Sequence, residues 1–466
     1  MNTILLQPTD VLFFRDGRPM TGSLAGHGAA WPLPNVINAA FHAALHRSGF
    51  AKEAHSHRRG ARGVYAEHAQ RDRKFGSLIT AGPFPVKDGR TWFFPRPHDL
   101  QDATLQPALV PTDFFDSVQS SLPDPLEYAV GSRLPPSKES GAKTWLAQAA
   151  YERYLDGSDP ALQDAESLND DDFADTEHTI GIAIDPANGT AGQGEAAGKI
   201  YSAHYLRLRA AWQLGVCAAA EDKDFNHQRH GRDLVRALLN GGQHQIIVGG
   251  QQRICSALRM APPSLPLPCG KADHFLEHDG KFLVKWILLS PAVWPVIEAD
   301  ATRNINAHPG GWLPNWIAHQ VVQFEGEALE AAEVLLLDGA GREKARRKNL
   351  QAGRRIRAKL VAAIVPKPLV VTGWALPDEH GENECERSGG AQSTHLAVPA
   401  GAVYYFEAGS ADEARKLAAA LNWHGGDSNS TTIKNRRSTL LGEKGFGLGV
   451  CGTWHFFPDV AGRSGK

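Results

Sequence analysis

The sequence lacks the features that mark membrane and secreted proteins. Its longest apolar stretch, Phe282 to Ile297, is interrupted by Lys285 and two prolines and is too short to cross a bilayer. The 5 cysteines are an odd number and lie far apart, which argues against a disulfide framework. Polar residues before position 17 interrupt any hydrophobic leader. These absences predict a soluble, cytoplasmic protein with reduced thiols and no membrane contact.

The chain also has little net charge, because 49 Lys and Arg residues are balanced by 51 Asp and Glu residues. The bulk positive field of many nucleic-acid binders is therefore missing. The charges are nevertheless segregated, since residues 156–177 are acidic and residues 342–359 are basic. We predict a long basic helix over 342–363, which is either a binding face or an ordinary solvated surface helix.

Motifs for the common enzymatic chemistries are incomplete. Gly198-Lys199 lacks the first glycine and the Ser or Thr of a P-loop. Cys269 has His274 and His278 nearby, but no second cysteine pair completes a zinc site. Nucleophile elbows, zinc-protease helices and kinase signatures are missing as well. The sequence therefore supports no catalytic residue, no metal and no cofactor.

A glycine-rich loop over 442–452 has the spacing of a dinucleotide fingerprint at Gly447, Gly449 and Gly452. The fingerprint requires a helix after the glycines, whereas Trp454 to Phe457 has the pattern of a strand. A Rossmann site is thus excluded. Two interpretations remain: a bare backbone that approaches another backbone closely, or a flexible turn before the last strand.

Two short basic stretches are the best candidates for binding. Apolar residues up to Phe14 stop abruptly at Arg15 and are followed by Arg18 and Pro19, so guanidinium groups lie where a strand ends. The alternative is a strand end with solvated charges. Arg436 and Arg437 directly precede the glycine-rich loop, and cations beside a bare backbone suit phosphate binding.

The order of the elements indicates an α+β protein with two antiparallel sheets, each with helices on one face. The proline-rich stretch 261–270 predicts a linker between domains 1–262 and 270–466. Insertions are expected at 52–75 and 156–177. Helices are predicted from an Asn35 N-cap, over 145–155 and over 411–421. Strands are predicted at 4–6, 11–14, 180–184, 245–248, 281–289, 369–372, 403–407 and 449–457, with a hairpin turn at 88–90.

Taken in order, the motifs resemble the third subunit of the Cmr-type (type III-B) CRISPR RNA-guided effector complex, a member of the RAMP superfamily. The resemblance runs nearly from end to end. It rests on Asp10-Val-Leu-Phe-Phe-Arg-Asp-Gly-Arg-Pro19, Pro32-Leu-Pro34, Gly82-Pro-Phe84, Phe94-Pro-Arg-Pro97 with Asp99, Glu177-x-x-x-Gly-Ile182, Gly198-x-Ile-Tyr201, Gly249-Gly250, Val365-Pro-Lys-Pro368, Gly373-Trp374, Val398-Pro-Ala-Gly401 and Gly445-Phe-Gly447. The sequence departs from the resembled pattern near Thr179, where an Arg is expected, and at Gln251, where a Glu is expected; the insertions 52–75 and 156–177 also lie outside that pattern.

The resemblance implies two ferredoxin-like (RRM-like) domains with the glycine-rich loop before the last strand. It also implies a non-catalytic subunit that caps the repeat-derived 5′ handle of the guide RNA in antiviral defence. The implied partners are this RNA, the large polymerase/cyclase-like subunit and the backbone RAMP subunit of the same ribonucleoprotein. This agrees with the basic stretches and the missing catalytic motifs.

The RNA-binding residues expected from these arguments are Arg15, Arg18, Arg436, Arg437, Gly445, Phe446 and Gly447. Aromatic residues near the basic stretches, namely Phe13, Phe14, Tyr65 and Phe446, are candidates for base stacking. Two alternatives stay open. One is a metal-independent RAMP endoribonuclease for the guide precursor, with His42, His46 or a histidine within 55–68 as general base. The other is a structural bridge that contacts only protein.

Overall fold

A computed structural model of the protein shows an α+β chain with mostly antiparallel sheets and few helices among the residues that it describes. The described residues are 1–15, 25–26, 31–50, 55–56, 73–75, 78–100, 108–111, 126–131, 143–157, 162–182, 184–185, 189–191, 200–223, 229–262, 264–299, 307–324, 327–337, 353–375, 390–391 and 393–456. Arg18, Tyr65 and most of the predicted insertion 52–75 lie outside them.

The main strands and helices carry labels in chain order. The strands are β1 (Asn2–Pro8), β2 (Ile79–Lys87), β3 (Thr91–Pro95), β4 (Trp145–Ala147), β5 (Ala174–Ile182), β6 (Ile200–Leu208), β7 (Trp212–Ala219), β8 (His244–Ile247), β9 (Ile254–Met260), β10 (Lys281–Leu288), β11 (Glu333–Leu337), β12 (Gly353–Ile364), β13 (Val403–Ala408) and β14 (Gly449–Thr453). The helices are α1 (Pro34–Arg47), α2 (Gln148–Leu155), α3 (Leu234–Leu238) and α4 (Ala411–Leu421).

Shorter elements complete the described chain. Short 3₁₀ helices lie at Asp164–Glu166, Asp170–Asp172 and Gly442–Lys444. Short strands lie at Ala25–Gly26, His55–Ser56, Arg73–Phe75, Ala108–Pro111, Tyr128–Gly131, Ser167–Leu168, Glu221–Lys223, Arg229–Asp233, Leu276–His278, Val322–Phe324, Glu327–Leu329, Leu369–Val371, Trp374–Ala375, Gly390–Ala391, His395–Ala397 and His455–Phe456.

The chain forms two compact units that are each built from several separate stretches. Unit 1 contains Met1–Thr91, Asp170–Pro263 and Leu369–Leu396. Unit 2 contains Trp92–Asn169, Ser264–Pro368 and Ala397–Lys466. The division of the chain into consecutive domains 1–262 and 270–466 stays a prediction.

Unit 1 is built on an antiparallel array of strands in the order β2-β7-β1-β9-β8. Strand β1 is central in this array and is buried on both faces, with Ile4 and Leu6 completely buried and Leu5 nearly so. Helix α1 presents Ile37, Phe41 and Leu45 to the same core at helical spacing. Strands β5 and β6 pair over their full length, and the short strand Ala25–Gly26 pairs with β6 to complete a separate three-stranded sheet. Ile180 therefore lies on a strand as predicted.

Unit 2 is built on a second antiparallel sheet, in which β14, β10, β13, β12 and β11 are successive neighbours. One face of this sheet packs on α4 through a core that includes Trp286, Tyr404 and Leu417. Helix α2 belongs to the same unit and approaches β14 at Gly452, where a Cβ atom would lie 2.8 Å from the carbonyl oxygen of Leu155. A glycine is therefore required at that point.

The predicted basic helix over 342–363 is wrong in its described part, because residues 353–364 form strand β12. Ile356, Ala358 and Leu360 are buried, whereas Arg357 and Lys359 between them are exposed. This is the two-residue period of a half-buried strand. Antiparallel pairing with β11 and β13 accounts for the outcome. In a strand the alternate apolar residues share one buried face, whereas in a helix they would point in several directions.

The other element predictions are mostly confirmed. Residues 11–14, predicted as a strand, instead form only an isolated antiparallel bridge between Leu12 and Leu206. Helix α4 has the predicted bounds, and the turn at 88–90 closes on a hydrogen bond from the Arg90 N–H to the Lys87 carbonyl of 3.0 Å. Helix α1 starts at Pro34 with Leu33 as N-cap, so the predicted Asn35 cap is wrong; proline fits the first helical position. Residues 145–147, predicted as helix, form β4, and the helix follows it.

Candidate nucleic-acid interface

The predicted basic stretch 434–437 lies at the C-terminal end of helix α4. The side chain of Asn435 donates hydrogen bonds to the carbonyls of Ala419 and Asn422 at 2.7 and 2.8 Å. The N–H groups of Lys434 and Asn435 both donate to the Trp423 carbonyl. The last carbonyls of a helix have no partner within it and carry the negative end of its dipole. Cations and amides are favoured there, which accounts for the position of this stretch.

Arg437 is held on all sides by the protein. Its N–H donates to the Gly447 carbonyl at 2.7 Å, and its Nε donates to the Ala420 carbonyl at 2.7 Å. Its own carbonyl accepts a hydrogen bond of 2.7 Å from the Trp294 indole. Arg437 therefore joins the end of α4, the glycine-rich loop and the core of unit 2.

Arg436 lies between these pinned neighbours, but its side chain has a different environment. The side chain is partly buried, and its Nη1 atom is enclosed without a hydrogen-bond partner. In the described part of the chain, no residue forms a hydrogen bond or an ion pair with its guanidinium. Burial lowers the pKa of Arg436, and the charge of Glu443 opposes that shift. Buried guanidinium donors normally have hydrogen-bond acceptors, so the guanidinium of Arg436 has N–H donors that are not used within the described chain.

The glycine-rich loop packs against the protein's own backbone. Gly447 has φ = 74°, and a Cβ atom there would lie 2.1 Å from the Ser438 nitrogen. The Gly447 N–H donates to the Pro291 carbonyl at 2.7 Å, and the Gly445 N–H donates to the Gly442 carbonyl at 3.2 Å. Of the two interpretations left open above, close backbone approach is therefore the observed one.

Phe446 is completely buried between these glycines. Its ring contributes to the core and is closed to a stacking base in this structure. The buried loop consequently holds Arg436 and Arg437 in place, whereas its own N–H groups at Gly445, Phe446 and Gly447 are used within the chain. The glycine-rich loop predicted from the sequence is therefore present, and Gly447 is required because the loop packs closely on the Ser438 backbone.

Arg15 belongs to unit 1 and is exposed at the end of a pinned backbone segment. Leu12 exchanges two backbone hydrogen bonds with Leu206, of 2.8 and 2.9 Å. The next carbonyl, that of Phe13, accepts the Gly250 N–H at 2.9 Å. A Cβ atom at Gly249 would lie 2.5 Å from the same carbonyl oxygen. The paired glycines thus allow the segment before Arg15 to pack closely.

A cluster of side chains that the sequence motifs did not predict lies beside this segment. Tyr205 packs on Phe13 with ring centroids 5.5 Å apart, and the Arg253 guanidinium lies 4.9 Å from the Tyr205 ring centroid. The side-chain oxygen of Gln251 accepts hydrogen bonds from Tyr205 at 2.9 Å and from Arg253 at 3.3 Å. Gln251 therefore supplies a neutral acceptor. In the sequence it stood out only as a departure from the motifs of the resembled family.

The negative charge next to Arg253 comes from Asp10. The Asp10 carboxylate lies 3.7 Å from Arg253 and 2.9 Å from Arg207. Hydrogen bonding to Arg207 lowers the pKa of Asp10. The Tyr205 ring and the nearby charges are thus engaged by the protein, so this cluster positions the segment that leads to Arg15.

The histidines of the nuclease alternative are only partly described. His42 and His46 lie on helix α1 with ring centroids 4.6 Å apart, and burial lowers the pKa of His46. The side chains of the histidines within 55–68 lie outside the described part. In the described part of the chain, no group of three or more His, Cys, Asp or Glu side chains could hold a metal ion. Nor does any described helix have the length and hydropathy needed to cross a membrane.

Comparisons with known proteins point to the same family as the sequence motifs. A family model described as "CRISPR-associated protein (Cas_Cmr3)" matches residues 4–454. No curated protein matches the chain. A chain in the cryo-EM structure of the type III-B Cmr-beta complex bound to cognate target RNA is 14% identical, with 86% of each chain covered and a TM-score of 0.34.

Two further solved structures are similar at the same low level. A chain of Cmr-beta bound to cognate target RNA and AMPPnP is 12% identical, with 86% of each chain covered and a TM-score of 0.34. A chain of the Csm3-Csm4 subcomplex of the type III-A interference complex is 8% identical, with 87% of this chain and 92% of that chain covered and a TM-score of 0.33.

The family match covers both units and nearly the whole length of the chain. It includes the pinned Arg15 segment, the paired glycines at 249–250, the basic stretch 434–437 and the glycine-rich loop. The resemblance drawn from the sequence motifs is thereby confirmed, and the chain belongs to the Cas_Cmr3 family of CRISPR-associated proteins.

Proposed function

We propose that this protein is a non-catalytic, RNA-binding subunit of a type III-B CRISPR effector complex. In this role it caps the repeat-derived 5′ handle of the guide RNA. It docks the large polymerase/cyclase-like subunit and the backbone RAMP subunit of the same complex. The observation that carries the proposal is the basic stretch 434–437, which the end of α4 and the glycine-rich loop hold at a fixed position in a chain of this family.

The order of elements supports a ferredoxin-like arrangement in unit 1. The elements β1, α1, β2, β7, α3 and β9 follow one another along the chain, and β1 lies between β7 and β9 in the sheet. Unit 2 has a similar strand order, with α4 between β13 and β14. Between β10 and β11, the described residues contain no α-helix. We propose two ferredoxin-like domains. In the second domain, the described residues between β10 and β11 contain no counterpart of the first helix of this fold.

Single-stranded RNA is held chiefly through phosphate contacts from Lys and Arg. The exposed guanidinium of Arg15 and the unpaired guanidinium of Arg436 meet that requirement. They belong to different units, and backbone hydrogen bonds hold the residues before Arg15 and those on both sides of Arg436. A held backbone lowers the ordering cost of binding a phosphate.

The test is to tag the chain, co-express it with the other genes of its complex and a CRISPR array, and sequence the RNA that copurifies. We expect RNAs with one common repeat-derived 5′ end, together with a large polymerase-like subunit. A complex carrying Arg15→Ala and Arg436→Ala is expected to retain less of this RNA. Clean protein without RNA or partners would refute the proposal.

The nuclease alternative is tested separately. The purified full chain is incubated with repeat RNA in the presence of a chelator, with His46→Ala as the comparison. We expect no cleavage by either protein. Cleavage that His46→Ala abolishes would replace the non-catalytic assignment with a metal-independent endoribonuclease.

A further inference from the structure

The two neighbouring arginines at the end of helix α4 have opposite hydrogen-bonding states. Arg437 uses its N–H, its Nε and its carbonyl within the protein. Arg436 has no hydrogen bond or ion pair in the described part of the chain, and only its Nη1 is fully enclosed. The sequence alone treats the pair as equivalent. The structure separates a supporting residue from one with unused donors.

The backbone on each side of Arg436 is fixed. Asn435 is held by the carbonyls of Ala419 and Asn422, and Arg437 is held by Gly447 and Ala420. Because the residues on both sides of Arg436 are held by hydrogen bonds, its backbone loses little conformational freedom when a ligand binds. The site is therefore organised before binding, and an unpaired guanidinium is the part that is left open.

The unmet requirement at Arg436 is for an oxyanion. A guanidinium has five N–H donors in a planar fork and no acceptor, and the fork matches two oxygens of a phosphate or carboxylate. No carboxylate lies within ion-pair distance of Arg436 among the described residues, although the Glu443 charge acts on it. Lys444, in the same loop and partly exposed, adds a second cation without an ion pair in the described chain.

We propose that Arg436 binds one phosphodiester group of the guide RNA and that Arg437 is a positioning residue that touches no RNA. This inference rests on the proposed function and deepens it by dividing the basic stretch into a ligand and its support. RNA is favoured over a protein carboxylate for two reasons. Lys444 in the glycine-rich loop adds a second positive charge, and the phosphates along an RNA chain present repeated oxyanions.

The experiment combines protein variants with neutral phosphates in the RNA. The full chain, or the complex that contains it, is titrated with a synthetic RNA of the repeat-derived handle. Single methylphosphonate linkages, which remove one negative charge each, are placed in turn along the handle. Binding is measured for wild type, Arg436→Gln, Arg436→Lys and Arg437→Gln at several salt concentrations.

For wild type, we expect one linkage at which the neutral phosphate weakens binding by about tenfold or more, as for a charge-assisted hydrogen bond. Arg436→Gln is expected to bind as weakly with the natural handle and to be insensitive at that linkage. Its salt slope is expected to fall by about 0.7, the value for one contact on a single strand. Arg436→Lys keeps the charge and is expected to keep most of the slope. Arg437→Gln is expected to keep the wild-type linkage dependence.

Three results would overturn the inference, and they are distinguishable. If wild type does not bind the handle, the proposed function itself fails. If wild type binds and Arg436→Gln binds equally well at every salt concentration, only the assignment to Arg436 fails. If Arg436→Gln keeps the RNA but loses a protein subunit from the complex, the guanidinium binds a carboxylate of that partner. Because Arg436 has no described protein acceptor, Arg436→Gln is expected to fold normally, which a thermal melt checks.

Discussion

Asp99 and Lys285 form a buried ion pair in unit 2, with 3.9 Å between Oδ2 and Nζ and with 0 and 1% of their side chains exposed. Tyr154 and Tyr405 donate hydrogen bonds to the Asp99 carboxylate at 2.7 and 2.5 Å. The Lys285 ammonium also lies 3.4 Å from the centroid of the Tyr154 ring. This cluster joins the segment after β3 and helix α2 to strands β10 and β13, so it ties four parts of unit 2 together.

Removing one member of this pair is expected to destabilise the protein strongly. Asp99→Ala leaves the Lys285 ammonium buried without its counter-charge, which typically costs about 3–5 kcal/mol. The free energy of unfolding in urea measures this cost. Lys416→Met, which removes an exposed ion pair with Asp412 at 2.6 Å, is the control and is expected to change stability little. Equal effects of the two substitutions would contradict the structural role of the pair.

The stability of the protein is expected to rise with pH through the titration of Lys285. Burial lowers the pKa of Lys285 from 10.5 to about 8, while Asp99 opposes that shift. Between these two pKa values the unfolded chain binds the proton and the folded chain does not, so the free energy of unfolding increases with pH. The full window corresponds to about 3 kcal/mol.

This pH dependence is isolated by comparison with Lys285→Met. Burial raises the pKa of Tyr154 and Tyr405 above 10, and their ionisation opposes folding at higher pH. Urea unfolding is therefore measured from pH 7 to 9.5 for both proteins, and the difference between them is plotted. We expect wild type to gain stability relative to the variant over this range. A flat difference would show that Lys285 keeps an ordinary pKa.

Gly447→Ala is expected to unfold the glycine-rich loop or the whole of unit 2. Its φ of 74° is unfavourable for alanine, and the new Cβ would lie 2.1 Å from the Ser438 backbone nitrogen. Strain of this kind costs about 1–3 kcal/mol from the conformation alone, and the clash adds to it. Gly442→Ala is the matched control, because nothing lies within 4 Å of a Cβ there. Similar melting temperatures for the two variants would contradict this packing.

Phe446 is expected to act through packing. Phe446→Ala leaves a cavity at a completely buried position and is expected to cost about 3–5 kcal/mol of stability. Phe446→Leu, which keeps much of the volume, is expected to be milder and to keep its affinity for the handle RNA. A Phe446→Leu protein of normal stability that binds RNA much more weakly would instead show that the ring stacks on a base.

Arg15 is expected to contribute one phosphate contact without contributing to stability. Arg15→Gln removes an exposed cation, so the melting temperature is expected to stay unchanged while the salt slope of RNA binding falls by about 0.7. Lys367→Gln removes another exposed cation, outside the candidate interface, as the control. Identical salt slopes for the two variants and wild type would remove Arg15 from the interface.

Much of the fold was readable from local patterns. Helix α4 has the bounds given by its apolar spacing, and the Ser410 hydroxyl caps it by accepting the Glu413 N–H at 3.2 Å. The strands β10 and β13 and the turn at 88–90 likewise follow from local residue types. The ordered motifs also identified the family, because they extend along most of the chain. Period, caps and turn residues are short-range properties, so the sequence determines them by itself.

Only the tertiary structure decided how the distant parts pair. Residues 353–364 were predicted as part of a helix, and antiparallel pairing with β11 and β13 made them strand β12 instead. Nothing in the sequence indicates that Asp99 and Lys285 form an ion pair. Nor does it indicate that the Arg437 side chain is hydrogen-bonded within the protein while that of Arg436 is not. These outcomes depend on which surfaces are buried against each other, because desolvation and hydrogen-bond geometry act between residues far apart in the chain.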